Sequence, residues 1–520
     1  MTFIALHDKP VPLALEPAWP LAPTPASTPA LPPPDRAWRP LMLLLAGVTL
    51  LSLLPSLRLL WEALAGIGLG AASPLARVLA DPATWQAAVH TLAVGAGGTV
   101  LAVALGAFFA LAVTLTDLPR RGLWVFAFML PLMIPPQVTA LAWLQLAGPS
   151  STLLLSLGLA PALGSPQPLY SPGGIVLLLG VQHAPLVFLA MRASLLALPA
   201  DLCEAARLAG ATPVRVLRDV VLPLARPGLV AGAAMAFVSA LGNFGIPAML
   251  GIPVGYYTLP TLIYQKLASF GPGMLGQMAA LSLLVGVLAA AGVALQARLQ
   301  ARAAYRLIGL PGRPAVLALG RWRGPLQAVL ALLLAFVLVA PLMALVASSL
   351  VPAMGVPLSA QSATLHAYAE MLGRQGVTWR AAGNSLLLAG GAAGVLMLLA
   401  LPLAWVMARR PGRWVQAANV SLEIPYALPG TVLAVACILL LARPLPLLQI
   451  SLYGTLAIIF VAYLARFAVV ALKPVQAGLR QLDPALEEAA QLAGASSGSS
   501  TSRRRRCWRR PPLQGPCWCF

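Results

Sequence analysis

Long apolar stretches separated by short polar gaps dominate this chain. From Leu41 onward, ten runs reach the roughly 20 residues needed to cross a bilayer. They lie near 41–61, 88–115, 123–147, 174–191, 229–250, 276–297, 325–349, 384–408, 417–441 and 451–472. None alternates polar and apolar positions as a barrel strand would, so the pattern predicts helices throughout. Residues 1–40 are rich in Pro and Ala and read as a flexible lead. Because the first long apolar run begins only near Leu41, a cleaved signal peptide is not expected.

Composition points the same way. Apolar residues make up 59% of the 520 and charged residues 9%, against roughly 25% charged in an average globular chain. With mean hydropathy at +0.86, a cytosolic enzyme, a secreted module and a disordered protein are excluded. The balance of 34 Lys+Arg against 14 Asp+Glu, net +20, offers no soluble basic face for nucleic acid. Instead the arginines fill gaps between apolar runs, as the positive-inside rule expects of cytoplasmic loops. Segment 298–323 carries Arg298, Arg302, Arg306, Arg313, Arg321 and Arg323 and no acidic residue. Alternating sides from there puts Arg120/Arg121, the 192–228 loop, Arg409/Arg410/Arg413, the 473–480 stretch and the N-terminus inside. Cys203 and Cys437 read as ordinary thiols.

The chain also repeats itself. Thr84-Trp85-Gln86-Ala87-Ala88 returns as Thr378-Trp379-Arg380-Ala381-Ala382, and Pro131 and Pro135 return as Pro425 and Pro429, all at an offset of 294. Glu204-Ala205-Ala206-Arg207-Leu208-Ala209-Gly210-Ala211 returns as Glu488-Ala489-Ala490-Gln491-Leu492-Ala493-Gly494-Ala495, at 284. Matches in one order and one orientation imply parallel repeats. The expected organisation is a first half at 41–300 containing the loop 192–228, an Arg-rich linker at 301–324, a second half at 325–495, and a tail at 496–520.

The loop carries the most specific signal. Gly210 suits a left-handed cap ending one short helix. Thr212 suits an N-cap for a second helix, with Pro213 at its first position. Pro223 and Pro227 are expected to stop that second helix before the next span. Small residues at 205, 206, 209 and 211 leave a surface that another protein can approach closely.

Glu204, Ala205, Ala206 and Gly210, followed by Val220, Leu222 and Pro223, resemble the EAA coupling motif of bacterial ABC-importer permeases. In that motif EAA, three residues, G, nine residues, an aliphatic residue and one more precede LP. The resemblance covers about 41–495 and implies an all-α polytopic membrane protein of two parallel six-helix permease units. The second unit is truncated, leaving about ten transmembrane helices. It implies that the loop docks on a cytoplasmic ABC ATPase, two copies for two loops, the second at Glu488, Ala489, Ala490 and Gly494. It further implies a periplasmic or extracellular substrate-binding protein and a place in the bacterial inner membrane. Two fused halves resemble the ferric-iron and thiamine importer permeases. Gly242–Pro247 and Tyr257–Tyr264 are more similar to the iron(III) branch, which makes iron(III) the expected cargo ahead of thiamine, a polyamine or a phosphonate.

The chain itself carries no P-loop, since Lys9, Lys266 and Lys473 follow Asp8, Gln265 and Leu472 rather than glycine. ATP is therefore expected on the partner, and this chain is expected to be a transport subunit without catalytic residues or cofactor. No His/Cys/Asp/Glu cluster has metal-site spacing, and His90 reads as a satisfied polar group. Polar residues inside spans, Gln137, Thr139, Gln145 and Asn243, are candidates for a translocation path, with helix–helix hydrogen bonding as the plainer role. An ion-coupled carrier with two parallel six-helix halves is the competing class, but only Glu423 falls clearly inside a run to serve a proton or sodium relay. A membrane-embedded enzyme would need titratable groups converging at one depth, and none do. After Ala495 the pattern fails. Ser496–Ser502, Arg503–Arg506 and Cys507, Cys517 and Cys519 match nothing upstream, and a frameshift near codons 496–498 accounts for this. Lipid binding by the basic tail and metal binding at Cys517-Trp518-Cys519 are the alternatives.

Overall fold

The computed structural model describes residues 38–65, 70, 73–162, 164–269, 273–303, 317–409, 412–442, 444 and 451–482. Among them every long element is helical. Nine helices are long and apolar enough to cross a membrane, or ten if one bent pair counts as a single span. We label the main helices α1 (Trp38–Leu64), α2 (Pro82–Leu115), α3 (Arg121–Met133), α4 (Pro136–Ala147), α5 (Pro172–Leu196) and α6 (Ala200–Leu208). The order continues with α7 (Pro213–Leu241), α8 (Gly245–Leu250), α9 (Leu259–Ala268), α10 (Met274–Ala303) and α11 (Gly320–Ser349). The last four are α12 (Gly376–Arg409), α13 (Arg413–Ala427), α14 (Gly430–Leu441) and α15 (Leu456–Gln481). Each of the ten apolar runs falls on one or two of these helices.

Three runs are not single straight helices. The 123–147 run divides into α3 and α4 at Ile134-Pro135, and the 417–441 run bends by 109° between α13 and α14. The 229–250 run is cut at Gly242–Phe244. Its helix begins at Pro213, far earlier than the apolar pattern indicates, because Pro223 and Pro227 do not stop it. A π turn at Leu217–Val221 closes with the Leu222 amide on the Leu217 carbonyl, and Pro223 lies in the first turn after it. There its missing N–H costs little.

Close approach of glycine-bearing faces holds α2, α5 and α7 together. A Cβ on Gly106 of α2 would sit 2.5 Å from the Ala184 carbonyl oxygen and 2.8 Å from Val187 Cβ on α5. One on Gly232 of α7 would meet Val187 Cα at 2.7 Å. In lipid, where apolar faces gain little by meeting one another, such backbone proximity supplies the dispersion energy that joins helices. Phe109, Phe128 and Phe188 stack in the core beside it.

The helices before and after residues 304–316 exchange their first spans. α1 packs against α13 and α14, and Leu45 joins the core of α12, α13 and α15. Reciprocally, α11 packs along α4, and its Leu330 and Leu334 enter the core formed by α2, α3 and α5. A clasp ties the start of α11 to the α2–α3 turn. The Leu317 amide donates to the Leu115 carbonyl at 2.6 Å, the Leu319 amide to Asp117 Oδ1 at 3.0 Å, and Arg323 pairs with Asp117. The Leu319 amide, and then the Arg323 guanidinium, hold the Asp117 carboxyl below the usual carboxylate range.

The α3–α4 break depends on one side chain. Pro135 has no N–H to offer the Pro131 carbonyl four residues earlier. Gln182 Nε2 on α5 supplies the donor instead, at 2.8 Å to Pro131 O and 3.0 Å to Ile134 O, while its Oε1 accepts from Thr139 Oγ1 at 2.9 Å. Gln182 is buried, so no water can substitute.

Two outcomes test this packing. Gly106→Val should lower stability by about 1–3 kcal/mol through overpacking. Gly394→Ala on α12, where nothing lies within 4 Å of the new methyl, should be neutral or slightly stabilising; unfolding of the purified chain in detergent compares them. In the same assay Gln182→Leu should cost roughly 2–4 kcal/mol by stranding buried polar atoms. Adding Pro135→Ala should recover part of that loss, since the new N–H can reach Pro131 O. Additive effects of the two substitutions would refute the staple.

Candidate functional site

Two features stand out from the bundle, an exposed elbow at its arginine-rich end and a meeting point of helix breaks halfway along the spans.

The elbow is α6 followed by the start of α7. It ends α6 with a Schellman pair of bonds: the Gly210 amide on Arg207 O at 2.9 Å and the Ala211 amide on Ala206 O at 3.0 Å. Gly210 takes φ +83°, a left-handed conformation that any side chain would strain. Thr212 then caps α7, its Oγ1 accepting from the Arg215 amide at 3.4 Å, with Pro213 in the first turn. Cys203, Val216 and Val221 turn inward and anchor the elbow to the core. Burial pushes the Cys203 thiol up, which makes it a poor nucleophile and a good anchor. Outward, Glu204, Ala205 and Arg207 are exposed, Leu208 is 90% exposed and Val214 73%. Leu222 and Pro223 are exposed on the continuing helix, and Val220 is half-buried. The elbow is therefore not a loop hung between spans. Its second arm is the first stretch of a helix that runs without interruption to Leu241. Glu488, Ala489, Ala490 and Gly494 lie outside the described residues, as do 1–37 and the 483–520 segment that includes the tail.

At the far end of α7 the breaks converge. A Cβ on Gly242 would lie 3.0 Å from Pro429 Cβ, at the α13–α14 bend, and one on Gly245 would lie 2.7 Å from Gln137 Cδ at the start of α4. Three interrupted spans thus touch in one place. Of the path candidates, Gln137 is exposed there. Thr139 is buried and spends its hydroxyl on Gln182. Asn243 is buried and caps α8, its Oδ1 accepting from the Ile246 amide at 3.2 Å. Gln145 is half-buried further along α4.

Two residues at this crossroads escape a reading of motifs. Gln182 staples Ile134 O, and Arg466 Nη1 on α15 donates to Leu428 O at 3.0 Å. Ile134 and Leu428 differ by 294, and Gln182 and Arg466 by 284, the same two offsets that relate the sequence repeats. Each staple lies ten residues into its helix from Pro172 or Leu456. That is about 15 Å at 1.5 Å per residue, inside the apolar run of each helix. An arginine at such a depth costs about 2.5–3.5 kcal/mol on the insertion scale. The signal was a polar residue at the repeat offset in each of two apolar runs, Gln182 beside His183 in one and Arg466 in the other, hidden because the residue type changes.

Two ion pairs join neighbouring helices. Glu423 on α13 pairs with Lys473 on α15, and Lys266 pairs with Asp81 at 3.5 Å. His90 Nδ1 bonds the Tyr257 carbonyl at 2.9 Å and its ring stacks on Tyr256 at 3.8 Å. Thr258 and Thr261 form a capping box opening α9. No group of three potential metal ligands occurs among the described residues.

Comparison with known proteins bears on the class of the whole chain. Residues 102–305 match the family described as binding-protein-dependent transport system inner membrane component. The probable ABC transporter permease protein y4fN of Sinorhizobium fredii is 27% identical over 471 residues, covering 88% of this chain and 81% of that protein. A probable molybdenum ABC transporter permease protein of Haloferax volcanii is 33% identical, covering 45% of this chain and 81% of its own length. The molybdenum transport system permease protein ModB of Escherichia coli is 31% identical, covering 37% and 84%. With its polytopic helical fold and its elbow, the chain belongs to the family of binding-protein-dependent transport permeases, the membrane components of ABC importers.

Proposed function

We propose that this permease is a fused, duplicated unit that receives cargo from an extracytoplasmic binding protein and passes it between its two sets of helices. Separate ATPase subunits dock on the elbow at Glu204–Gly210. A second subunit docks at Glu488–Gly494, so that two copies serve one chain. The arginine-rich end is cytoplasmic, with the N-terminus on the same side of the inner membrane. The common spacing of the Gln182 and Arg466 staples supports the duplication.

The single observation that carries the coupling reading is the continuity of α7. At 29 residues it is about 43 Å long at 1.5 Å per residue, and it joins the exposed elbow to Gly242, which abuts Pro429. An ATPase that shifts Val214, with Leu208 across the Gly210 turn, on nucleotide closure moves the far end of the helix that carries Val214. That motion acts where three interrupted spans meet. The path needs no catalytic group, because nucleotide hydrolysis takes place on the partner.

Iron(III) as cargo rests on Gly242–Pro247 and Tyr257–Tyr264. Both stretches have helix-capping work to do, through Asn243 in one and Thr258 with Thr261 in the other. A specific observation favours the phosphonate alternative: a guanidinium, which attracts anions, stands at mid-span in Arg466. Two of the relatives are named for molybdenum, a cargo that the motifs did not indicate.

Leu208→Asp should leave the unfolding temperature of the full chain unchanged while weakening ATPase association at least tenfold, measured by co-purification with the ATPase subunit. Gly210→Val should cost about 1–2 kcal/mol in the left-handed turn and lower association as well. Glycines at Asp219 and Val220, inside the π turn, should spare association but reduce ATP-driven uptake severalfold. Unaltered association in Leu208→Asp would remove the elbow from the mechanism.

A further inference from the structure

At two quasi-equivalent positions the chain solves one problem with different chemistry. Gln182 is buried and fully used: both its donor bonds go to carbonyls, and its oxygen accepts from Thr139. Among the described residues Arg466 makes one bond, from Nη1 to Leu428 O, with a guanidinium that carries five N–H donors. It is half-buried, and no carboxylate lies within ion-pair distance of it among the described residues. The nearby Glu423 is already matched with Lys473, seven residues along α15 from Arg466. Stapling a carbonyl needs only an amide, as Gln182 demonstrates, so the charge is in excess of the structural need.

The surroundings favour a ligand over a counter-ion from the protein. Arg466 stands beside the α13–α14 bend, where a Cβ on Gly430 would lie 3.9 Å from Nη1. Gly430 is exposed and carries no side chain to block approach. Thr431, the next residue, has a buried hydroxyl without a partner among the described residues. Pro429 at the same bend abuts Gly242 at the end of the α7 lever.

We propose that Arg466 is an anion-binding subsite in the translocation path, taking a tetrahedral oxyanion of the phosphonate, phosphate or molybdate kind. The planar fork of the guanidinium matches two oxygens of such an ion. Leu428 O holds the fork in place, and the exposed Gly430 backbone leaves the ion room. This deepens the permease reading by naming its cargo class and rests on it.

The test uses the full chain in lipid nanodiscs, following the unfolding temperature while methylphosphonate, phosphate or molybdate is titrated at constant ionic strength. Chloride, thiamine and trehalose serve as the monatomic-anion, cation and neutral probes. The wild type should show a saturable rise with the oxyanions alone. Arg466→Gln, which reproduces the Gln182 staple and so keeps the fold, should raise the half-saturating concentration at least tenfold. Arg466→Lys should lie between the two. Absence of a rise in the wild type, the same rise in Arg466→Gln, or an equal rise with chloride would overturn the subsite. Uptake with the partner ATPase separates the two readings. If Leu208→Asp leaves uptake intact while the oxyanion effect persists, the coupling reading fails and the subsite stands. If Leu208→Asp abolishes uptake while the wild type shows no oxyanion effect, the reverse holds.

Discussion

In hydrocarbon each backbone carbonyl released from a helix must find another donor, because no water stands by to provide one. That constraint organises the middle of this protein. Proline at 135 frees the Pro131 carbonyl, and the bend between α13 and α14 frees that of Leu428; both are recovered by a side chain on a neighbouring helix. Interrupting a span is therefore an arrangement of at least two helices. The third interruption, at Gly242–Phe244, is stabilised locally by the Asn243 cap. The three breaks can meet because each one exposes either small residues or a proline ring, allowing Gly242 to lie on Pro429 and Gly245 on Gln137.

A bundle held this way moves in pieces. Where α2 and α5 interlock through Gly106, they have no slack, since a backbone carbonyl already occupies the space of a methyl group. The helices at the crossroads are short and interrupted, so a push along α7 meets its least resistance there. Exchange of α1 and α11 adds a second constraint. Because each leans on the opposite set of helices, the two sets can rock against each other without coming apart. The Asp117 clasp with Leu319 and Arg323 fixes one point of that hinge.

The helical class, the number of spans and the first elbow's turn were legible because each follows from local chemistry. Twenty apolar residues need no tertiary context to mark a span, and Gly210 followed by Thr212-Pro213 marks a helix end and a helix start in adjacent residues. Boundaries were less legible. The apolar window ends at 472, but α15 continues to Gln481 with its Lys473 turned to Glu423. Pro223 and Pro227 read as stops because a sequence does not display a π turn, which shifts the hydrogen-bond register before the first proline is met. The 134–182 and 428–466 staples were hidden for a different reason. A single glutamine has no visible partner 51 residues upstream, and a search for repeats by identity passes over a position where amide becomes guanidinium.

That change of residue bears on how a duplicated transporter can gain selectivity. Two identical halves would offer a cargo the same environment from both sides, and a neutral amide at each staple would give no preference for charge. Replacing one amide by a guanidinium keeps the carbonyl satisfied, and so preserves the bend, while adding a positive charge beside Gly430. The structural duty of the position is met by either residue, which leaves its charge free to be chosen by the cargo. Selectivity of this kind can change without disturbing packing, because the bond from position 466 to Leu428 O survives the exchange. On the proposed reading, the same elbow and lever can serve permeases for different ions, with the distinguishing group at position 466, away from the elbow.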